Sequence, residues 1–513
     1  MSIQPQLTPI IRLHETDNVA VARTAIPAGA PLEGTNPRAM TNEEIASGHK
    51  VALRPIAVGE EVLKYGQVIG VAKQPIAAGD HVHLHNVAMQ EAAAGHGVAA
   101  EGKPKPLLPP AQRRSFRGYQ RPDGQIGTRN YIGILTSVNC SATVSHAIAD
   151  RFNRGGLAGF ENVDGVVALS HGGGCAISMQ TEGYQYLTRT ITGYARNPNF
   201  AGILIIGLGC ETNQISFMMK EFGLSEGPFL HTMTIQRLGG TRKTIEAASE
   251  IIREMLPAVN AVQRTETPLS GLKLALQCGG SDGYSGISAN PALGYAADLL
   301  VQHGGTAVLS ETPEIYGAEH LLMRRAVRPD VSIKLAQRID WWRDYTERNG
   351  AELNNNPSHG NKVGGLTTIL EKSLGAVAKG GSMPLEAVYE YAELIDKTGF
   401  VFMDTPGYDP VAVTGQVAGG CNLIAFTTGR GSVSGFKPAP CIKIATNNEL
   451  YEHMQEDMDL NCGGIVTGED TIEQAGQRIF EKVIAVASGE RSLSETFDYG
   501  NNEFVPWQIG AVT

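Results

Sequence analysis

Short apolar runs alternate with longer stretches of helical hydrophobic spacing from Tyr131 onward. The runs are Tyr131–Leu135, Val166–Leu169, Ile203–Ile206, Leu272–Leu276, Thr306–Leu309, Phe400–Met403, Leu423–Phe426 and Ile442–Ile444. The helical patterns include Thr244–Val262, Ala292–Gln302 and Leu385–Ile395. Because buried strands that alternate with helices are typical of parallel sheets, this region predicts an α/β fold with a largely parallel sheet.

Residues 1–86 follow a different pattern, in which short apolar strands are separated by glycine and proline turns. Isoleucine, then small or apolar residues, then glycine occurs at 25–29, 55–59 and 75–79. These similar turns predict a small β module. Residues 87–115 are rich in Ala, Gly and Pro without an apolar period, which predicts a linker. We place a further division near Pro268, which gives α/β domains at 116–266 and 267–513.

Composition narrows the class of protein and its compartment. The chain has 513 residues, a formal net charge of -10 and no long basic stripe, which argues against a nucleic-acid binder. The N-terminus has no basic region followed by an apolar core, and no apolar run reaches the roughly 18 residues of a membrane span. The chain has seven cysteines, and an odd number in a long chain without an export signal does not suggest a disulfide scaffold. We therefore expect reduced thiols and a cytoplasmic protein.

Several cysteines follow the apolar runs directly, at the predicted carboxyl ends of strands: Cys140, Cys175, Cys210 and Cys278. His171, Glu211 and Asp282 lie in the same loops. Ligands bind at these ends in open parallel sheets, and thiolates with an imidazole and carboxylates suit a metal such as Fe(II). Free cysteine also often fills space in a core, and none of the four has the close spacing of a zinc ribbon or ferredoxin. Both interpretations stay open.

Two further groups of polar residues are candidates for binding. His81, His83 and His85 alternate, so a strand would present the three imidazoles on one face, either for a metal or substrate or as an ordinary wet surface. Lys362 and Arg430 lie in glycine-rich loops that resemble anion-gripping loops, although a solvated surface charge also explains each of them. The chain contains no dinucleotide fingerprint, no Walker A motif and no nucleophile elbow, which weakens nicotinamide, nucleotide and serine-hydrolase interpretations.

Longer motifs resemble one known family. They are Gly48-His-Lys-Val-Ala-Leu53, Gly127-Thr-Arg-Asn130, Gly207-Leu-Gly-Cys-Glu211, Cys278-Gly-Gly-Ser-Asp-Gly283, Ala289-Asn-Pro291, Asn356-Pro-Ser with Gly360-Asn-Lys362, and Thr428-Gly-Arg-Gly431. They resemble the altronate/galactarate dehydratase family over nearly the whole chain. The resemblance implies a multidomain α/β protein. It would have an N-terminal β-clip (SAF-like) module, a linker, a middle domain used for dimer contact and a Rossmann-like C-terminal domain with a parallel sheet.

The resemblance also implies dehydration of a hexonate or hexarate to a 2-keto-3-deoxy acid, with Fe2+ or Mn2+ and reducing conditions. The histidine segment 81–85 is similar to altronate dehydratases, whereas 136–140 and 197–202 are similar to galactarate dehydratases. We expect an altronate-type hexonate as the substrate, with galactarate as the alternative. Sulfolactate sulfo-lyase is a more distant relative with a related reaction.

This chemistry assigns expected roles to the candidate residues. Negative charge accumulates on the substrate carboxylate when the neighbouring proton is removed, so a cation and a metal are needed there. His171 or Lys362 is the candidate base, and Arg430 would grip the carboxylate. Asp282 is a catalytic or metal-binding carboxylate, and Glu211 is a second candidate ligand. The thiolates of Cys140, Cys175, Cys210 and Cys278 would bind iron or keep it reduced.

Two alternatives differ in cofactor or in class. The same four cysteines offer more than the three ligands that an iron–sulfur cluster needs, as in aconitase-like dehydratases. A non-enzymatic sugar-acid sensor is the other alternative, but the chain shows no basic helix-turn-helix signature. The expected partners are therefore a small anionic sugar acid and a second copy of the chain in a homodimer, with no nucleic acid and no membrane.

Overall fold

The N-terminal unit is a small all-β module. The computed structural model describes residues 8–32, 35, 39–90, 100–103 and 105–510. The strands of this unit are β1 (Ile10–Ile11), β2 (Val19–Ala22), β3 (Lys50–Ala52), β4 (Glu61–Lys64), β5 (Gln67–Ala72), β6 (His81–Val82) and β7 (Val87–Ala88). They form two antiparallel sheets, in the orders β1-β2-β3-β6 and β4-β5-β7. The isoleucines of the repeated turn pattern, Ile26, Ile56 and Ile76, are all buried, so the repeat supplies the core of this module.

The middle domain contains a four-stranded parallel sheet in the order β11-β10-β12-β13. The strands of the whole middle domain are β8 (Ser115–Gln120), β9 (Ile126–Gly127), β10 (Tyr131–Thr136), β11 (Gly165–Leu169), β12 (Phe200–Gly207), β13 (Leu230–Thr234) and β14 (Thr265–Pro268). Its helices are α1 (Ala142–Arg151), α2 (Glu182–Ala195), α3 (Ile215–Glu221), α4 (Ile235–Leu238) and α5 (Thr241–Ala261). A small antiparallel sheet, β14-β8-β9, lies at its boundary with the C-terminal domain.

The C-terminal domain is built on a seven-stranded parallel sheet in the order β17-β18-β16-β15-β19-β20-β21. The strands are β15 (Lys273–Cys278), β16 (Thr306–Leu309), β17 (Leu385–Tyr389), β18 (Gly399–Met403), β19 (Leu423–Thr428), β20 (Cys441–Ala445) and β21 (Leu460–Asn461). Helices cover the sheet: α6 (Ala289–Gln302), α7 (Glu319–Met323), α8 (Pro329–Arg348), α9 (His359–Val363), α10 (Ile369–Val377), α11 (Asp409–Ala418), α12 (Asn448–His453), α13 (Gly463–Thr467), α14 (Ile472–Ala487) and α15 (Leu493–Thr496). The predicted multidomain α/β fold is confirmed. Among the described residues, none of the helices combines the length and apolarity that a bilayer span requires.

One predicted helix is wrong. The segment Leu385–Ile395 begins with strand β17, which pairs in parallel with β18 at the edge of the sheet. The chain then turns, and Ala392 takes a left-handed φ of 56°, which is incompatible with a continuing helix. Apolar spacing alone does not distinguish a short buried strand from one face of a helix. Here the segment begins as a strand because its backbone pairs with β18 at the edge of the sheet.

The predicted linker is packed in the part that the structure describes. Val87 and Ala88 form β7, and further along Gly102 N donates to Ala326 O at 3.1 Å and Leu108 N to Gln302 O at 2.9 Å. A Cβ on Gly102 would lie 2.0 Å from Arg325 O, so glycine is needed for this close approach. Residues 91–99 and 104 of the predicted linker lie outside the described residues. The described linker therefore runs along the C-terminal domain.

The N-terminal module rests on the carboxyl edge of the seven-stranded sheet. Gly283 N donates to Gly364 O at 2.7 Å, and a Cβ on Gly283 would lie 2.0 Å from Gly48 O of the module. Behind this contact, Glu371 of α10 accepts hydrogen bonds from Lys50 Nζ and Lys64 Nζ, both at 2.9 Å. All three charged side chains are buried. Close backbone packing and a buried ion network thus hold the two domains together.

Candidate active site

A cleft of about 580 Å³ lies between the N-terminal module and the carboxyl edge of the seven-stranded sheet. The module contributes residues from the loops around β2 and β3, and the C-terminal domain contributes the loops after β15, β19 and β20. The residues that line the cleft include Arg23, His49, Asp282, Tyr284, Arg430 and Asn447. Its position agrees with the rule that parallel sheets bind ligands beyond the carboxyl ends of their strands. Its volume is in the range of small-molecule sites.

Asp282 lies at the floor of the cleft in the loop that follows β15. Its carboxylate accepts hydrogen bonds from Ser285 Oγ at 2.9 Å, Thr446 Oγ1 at 3.1 Å and Asn447 Nδ2 at 3.0 Å. Burial raises the pKa of Asp282, and these donors oppose the rise. A Cβ on Gly429 would lie 2.1 Å from Asp282 Cγ, so the loop after β19 approaches this carboxylate closely. Asp282 is therefore a fixed carboxylate with a raised pKa, which suits a proton acceptor.

Arg430 brings a free cation to the same cleft. Its backbone is fixed by hydrogen bonds from Gly429 N and Arg430 N to Gly280 O, at 3.1 and 2.8 Å. The side chain is exposed, and its guanidinium has no hydrogen bond or ion pair with the described residues. By contrast, the guanidinium of Arg23 donates to the backbone oxygens of Thr8 and Val466. Arg430 is thus available to bind an anion, as the sequence led us to expect.

Lys362 lies beside the cleft. It is half-buried in α9, and the next two residues, Val363 and Gly364, form part of the cleft wall. Helix α9 begins with a capping box between Ser358 and Asn361, which fixes its start. Asn361 Nδ2 also donates to Ser281 O at 2.8 Å, so this helix is attached to the Asp282 loop.

Four imidazoles meet at the module side of the cleft. His49, which lines the cleft, places Nδ1 2.9 Å from His81 Nε2, and the ring of His81 lies 5.4 Å from that of His83 and 5.5 Å from that of His85 between centroids. The predicted strand over 81–85 ends at Val82, because Asn86 closes a turn on the backbone of His81 and His83. The turn, rather than strand alternation, brings the rings together. Burial and the neighbouring imidazoles lower the pKa of His81 to about 3.

A second cluster of polar residues is buried at the ends of β15 and β16. Cys278 Sγ lies 2.8 Å from Lys379 Nζ and 3.8 Å from Glu314 Oε2, and Lys372 Nζ donates to Glu314 Oε1 at 2.6 Å. Glu311 has a left-handed φ of 72°, and neither of its carboxyl oxygens has a hydrogen bond within the described residues. Burial raises the pKa of Cys278 to about 11 and that of Glu311 well above its usual value. The cluster therefore combines a buried thiol and a carboxyl group, both of raised pKa, with Glu314 and the two lysines that face it.

The sequence missed the two lysines of this cluster. Helix α10 is buried on every side, so Lys372 has no exposed face, and Lys379 follows in the next turn. Glu311 and Glu314 follow the apolar run Thr306–Leu309 in the sequence, so their place after a strand can be found from that pattern. The signal for Lys372 is a lysine inside the apolar helical pattern Ile369–Val377, since a charged side chain in a buried helix needs a buried partner of opposite charge.

The other predicted site residues lie on the sheet of the middle domain. Cys140, Cys175 and Cys210 are exposed beyond the ends of β10, β11 and β12. Their loops are joined by hydrogen bonds from Asn139 N to Gly173 O and from Asn213 N to Gly174 O, at 3.1 and 3.0 Å. Cys278 does not join them, because it is buried on the other sheet between Lys379 and Glu314. The four thiols therefore do not share one crevice.

His171 and Glu211 already have partners in the middle domain. His171 Nε2 donates to Thr136 O at 3.0 Å, and its Nδ1 accepts from Gly173 N at 3.2 Å. Burial lowers the pKa of His171 to about 4. Glu211 accepts from Ser137 Oγ and from Gly209 N, both at 2.6 Å. These contacts hold loops in place, and neither residue lines the cleft that contains Arg430 and Asp282.

Comparison with known proteins identifies the family of this chain. Family models match the three parts of the chain in order: the altronate/galactarate dehydratase SAF domain over residues 8–90, the second domain of D-galactarate dehydratase/altronate hydrolase over 118–260, and the C-terminal domain of D-galactarate/altronate dehydratase over 269–512. The chain belongs to the altronate/galactarate dehydratase family. As a member it is a hydro-lyase that dehydrates a sugar acid, which confirms the resemblance drawn from the motifs.

Individual members of the altronate/galactarate dehydratase family are similar over nearly their full length. Galactarate dehydratase (L-threo-forming) of Escherichia coli strain K12 is 38% identical over 94% of this chain and 93% of its own. Altronate dehydratase of Bacillus subtilis strain 168 is 34% identical over 95% of this chain and 97% of its own. Altronate dehydratase of Escherichia coli strain K12 is 35% identical with the same coverage, 95% and 97%. Relatives named for altronate and for galactarate are thus similar to this chain to nearly the same extent.

Proposed function

We propose that the cleft between the SAF domain and the seven-stranded sheet is the active site, and that it converts a hexonate to a 2-keto-3-deoxy acid. The observation that carries this proposal is the pairing of one free guanidinium, Arg430, with one buried carboxylate, Asp282, in a cleft of about 580 Å³. Elimination of water next to a carboxylate needs these two functions: a cation for the substrate carboxylate and a base for the neighbouring proton.

Each cleft residue has a proposed role. Arg430 binds the substrate carboxylate through two parallel hydrogen bonds, which strengthen as negative charge accumulates there. Asp282 takes the proton from the carbon next to that carboxylate, because burial makes its carboxylate more basic than usual. Lys362, whose neighbours form the cleft wall, is the proposed donor to the departing hydroxyl. Water forms from that hydroxyl and a proton, and the enol product then becomes the keto acid.

The number of free guanidinium groups in the cleft favours a hexonate. Arg430 is free among the described residues, whereas Arg23 is bound to backbone oxygens. One free guanidinium matches the single carboxylate of an altronate-type acid. A hexarate such as galactarate has a second carboxylate, which would need a second free cation. Galactarate remains the second candidate because a galactarate dehydratase is 38% identical to this chain.

The divalent metal that the family resemblance implies does not fit the ligand set expected from the sequence. Cys140, Cys175 and Cys210 lie on the middle sheet, whereas Cys278 lies on the other sheet as a buried thiol beside Lys379. The ammonium groups of Lys372 and Lys379 already supply positive charge to the acidic groups near Cys278. A metal, when bound to such an enzyme, stabilises the enediolate charge. The roles above involve only side chains of the cleft.

The test is an anaerobic assay with altronate, galactarate and related sugar acids in the presence of Fe2+, with the 2-keto-3-deoxy product identified by mass. We expect the highest kcat/KM with altronate. Asp282→Asn should abolish both product formation and exchange of the substrate proton in D2O, and Asp330→Asn, at an exposed position on α8, is the matched control. Proton exchange that continues in Asp282→Asn would exclude Asp282 as the base, and turnover of galactarate alone would make it the substrate.

A further inference from the structure

Three cysteines are exposed, and all three lie at the carboxyl edge of the middle sheet. Cys140, Cys175 and Cys210 follow β10, β11 and β12, which are neighbouring strands of that sheet. The other cysteines of the chain are buried: Cys278, Cys421, Cys441 and Cys462. Free cysteine is among the most buried residue types, so three exposed thiols on adjacent loops are unusual. This grouping indicates a ligand that binds to thiolates.

The three loops that carry these thiols are packed around Ser137, which follows β10 shortly before the first of the three cysteines. Ser137 Oγ donates to Glu211 Oε1 at 2.6 Å, and Glu211 is the residue after Cys210. A Cβ on Gly174, the residue before Cys175, would lie 2.2 Å from Ser137 O. Glycine is needed there because the two backbones approach so closely. Three separate segments of the chain therefore bring their cysteines to one place.

The surroundings of two of these cysteines are shaped as a binding site would be. Ala176, directly after Cys175, has a left-handed φ of 52°, and Gly209, directly before Cys210, has a φ of 126°. A left-handed residue other than glycine is strained, and such strain is concentrated where the backbone is fitted to a ligand. Gln236 Nε2 also donates to Cys210 Sγ at 3.4 Å. Amide donors of this kind surround the sulfurs of iron–sulfur clusters.

The spread of the three sulfurs favours a cluster over a single ion. Thiolates lie about 2.3 Å from a zinc ion, which brings the sulfurs to within roughly 4 Å of one another. Among the described residues, the groups of ligand atoms that lie within 4.8 Å of one another do not include these three sulfurs. A cluster of several irons accommodates sulfurs that are farther apart. We propose that Cys140, Cys175 and Cys210 bind a cubane iron–sulfur cluster of the 4Fe–4S type.

This site is separate from the cleft and does not rest on the proposed function. None of its three cysteines lines the cleft. Cys278, the remaining cysteine that follows a strand, does not contribute, because it is buried on the other sheet with its Sγ 2.8 Å from Lys379 Nζ. Three thiolates of one domain thus hold three of the irons. The fourth iron has no thiolate and is left for water or a small ligand from solvent.

Anaerobic reconstitution of the full-length protein with Fe2+ and sulfide tests the proposal without measuring turnover. We expect the wild type to hold iron and acid-labile sulfide in equal amounts, about four of each per chain. Cys140→Ser, Cys175→Ser and Cys210→Ser should each bind at least about fivefold less sulfide, because each removes one of the thiolates that hold the cluster. Cys278→Ser is the control and should bind as much sulfide as the wild type. Circular dichroism of the metal-free variants checks that each is folded.

Three results would overturn the proposal. They are a reconstituted wild type without acid-labile sulfide, wild-type sulfide content in the three serine variants at the edge of the middle sheet, and one zinc ion per chain in place of the cluster. Dehydration of altronate is measured separately on the same preparations. A protein that dehydrates no sugar acid, yet loses its sulfide in Cys210→Ser and not in Cys278→Ser, keeps the cluster site while the proposed function fails.

Discussion

Individual side chains in and around the cleft owe their protonation state to burial and to nearby hydrogen-bond donors. Asp282 has no ion-pair partner within the described residues, and its carboxylate is held by hydroxyl and amide groups. Such neutral donors fix a carboxylate in place without lowering its pKa as far as a cation would. Arg430 shows the complementary case, in which a charged side chain has its backbone fixed and its head group free.

Arg430→Lys tests how the substrate carboxylate is held. A guanidinium binds a carboxylate through two parallel hydrogen bonds, which an ammonium cannot reproduce. We expect kcat/KM to fall by more than about tenfold, a loss above roughly 1.4 kcal/mol of transition-state stabilisation. Steady-state kinetics are compared at equal metal content, with Arg154→Lys on the exposed surface of the middle domain as the control. Unchanged kinetics would remove Arg430 from the active site.

His171 makes stability depend on pH on the acid side of neutrality. Burial lowers its pKa in the folded protein to about 4, against about 6.5 in the unfolded chain, so the unfolded state binds more protons between these values. Stability is therefore lost as pH falls from about 6.5 towards 4. At pH 5.5 this one group should lower the free energy of unfolding by roughly 1 kcal/mol relative to pH 7.5.

Unfolding midpoints at these two pH values measure this cost. His171→Gln should reduce the loss between them, and His146→Gln, at an exposed position, should not. An equal loss in wild type and His171→Gln would show that His171 does not cause the pH dependence.

At the scale of elements, helix α10 contributes two adjacent buried charges, and each forms ion pairs with a different domain. Glu371 faces Lys50 and Lys64 of the SAF domain, and Lys372 faces Glu314 of the C-terminal domain. Burial alone would raise the pKa of Glu371, but the two lysines lower it below its usual range. Burial lowers the pKa of Lys50 to about 8, although Glu371 opposes the change. The helix thus forms the electrostatic contact between the two domains.

Glu371→Gln should destabilise this contact strongly. Removing the shared anion leaves two lysines buried without their countercharge, for which broken buried ion pairs suggest a cost of about 3–5 kcal/mol. The thermal unfolding midpoint should fall, whereas Glu347→Gln, at an exposed position on α8, should leave it unchanged. A midpoint within error of the wild type would show that the network does not hold the domains together.

On the scale of the whole molecule, the active site exists only where two domains meet. The cleft takes Arg23 and His49 from the SAF domain and Asp282 and Arg430 from the C-terminal domain. The backbones approach so closely that Gly283 has no room for a side chain against Gly48 O. The geometry of the cleft therefore depends on this contact.

Gly283→Ala should displace the SAF domain from the cleft. A Cβ there would lie 2.0 Å from Gly48 O, so the two backbones must separate. A shift of about 1 Å can cost up to 10²-fold in rate, and we expect kcat/KM to fall by at least tenfold. Gly360→Ala is the control, because nothing lies within 4 Å of a Cβ at that position. Wild-type kinetics in Gly283→Ala would show that the contact does not control the cleft.

The sequence by itself determined the parallel α/β architecture and the places of Asp282 and Arg430. Buried strands need continuous apolar runs, and their carboxyl ends share one edge, so local patterns such as Leu423–Phe426 point to the loops that bind ligands. The same reasoning failed for Leu385–Ile395, because apolar spacing fits a strand and a helix equally well. It also grouped Cys278 with the thiols of the middle domain, since both follow strands.

Only the tertiary structure decided which strand ends face each other and which polar residues share one environment. Glu43 meets His81 and His85 through a turn and a neighbouring loop, and Lys50 meets Glu371 across 321 positions of the chain. Such contacts have no periodic signal in the sequence, because they arise from the packing of one domain on another. The pKa values of Asp282 and His171 also depend on the tertiary structure, because burial shifts them and burial is a property of the folded chain.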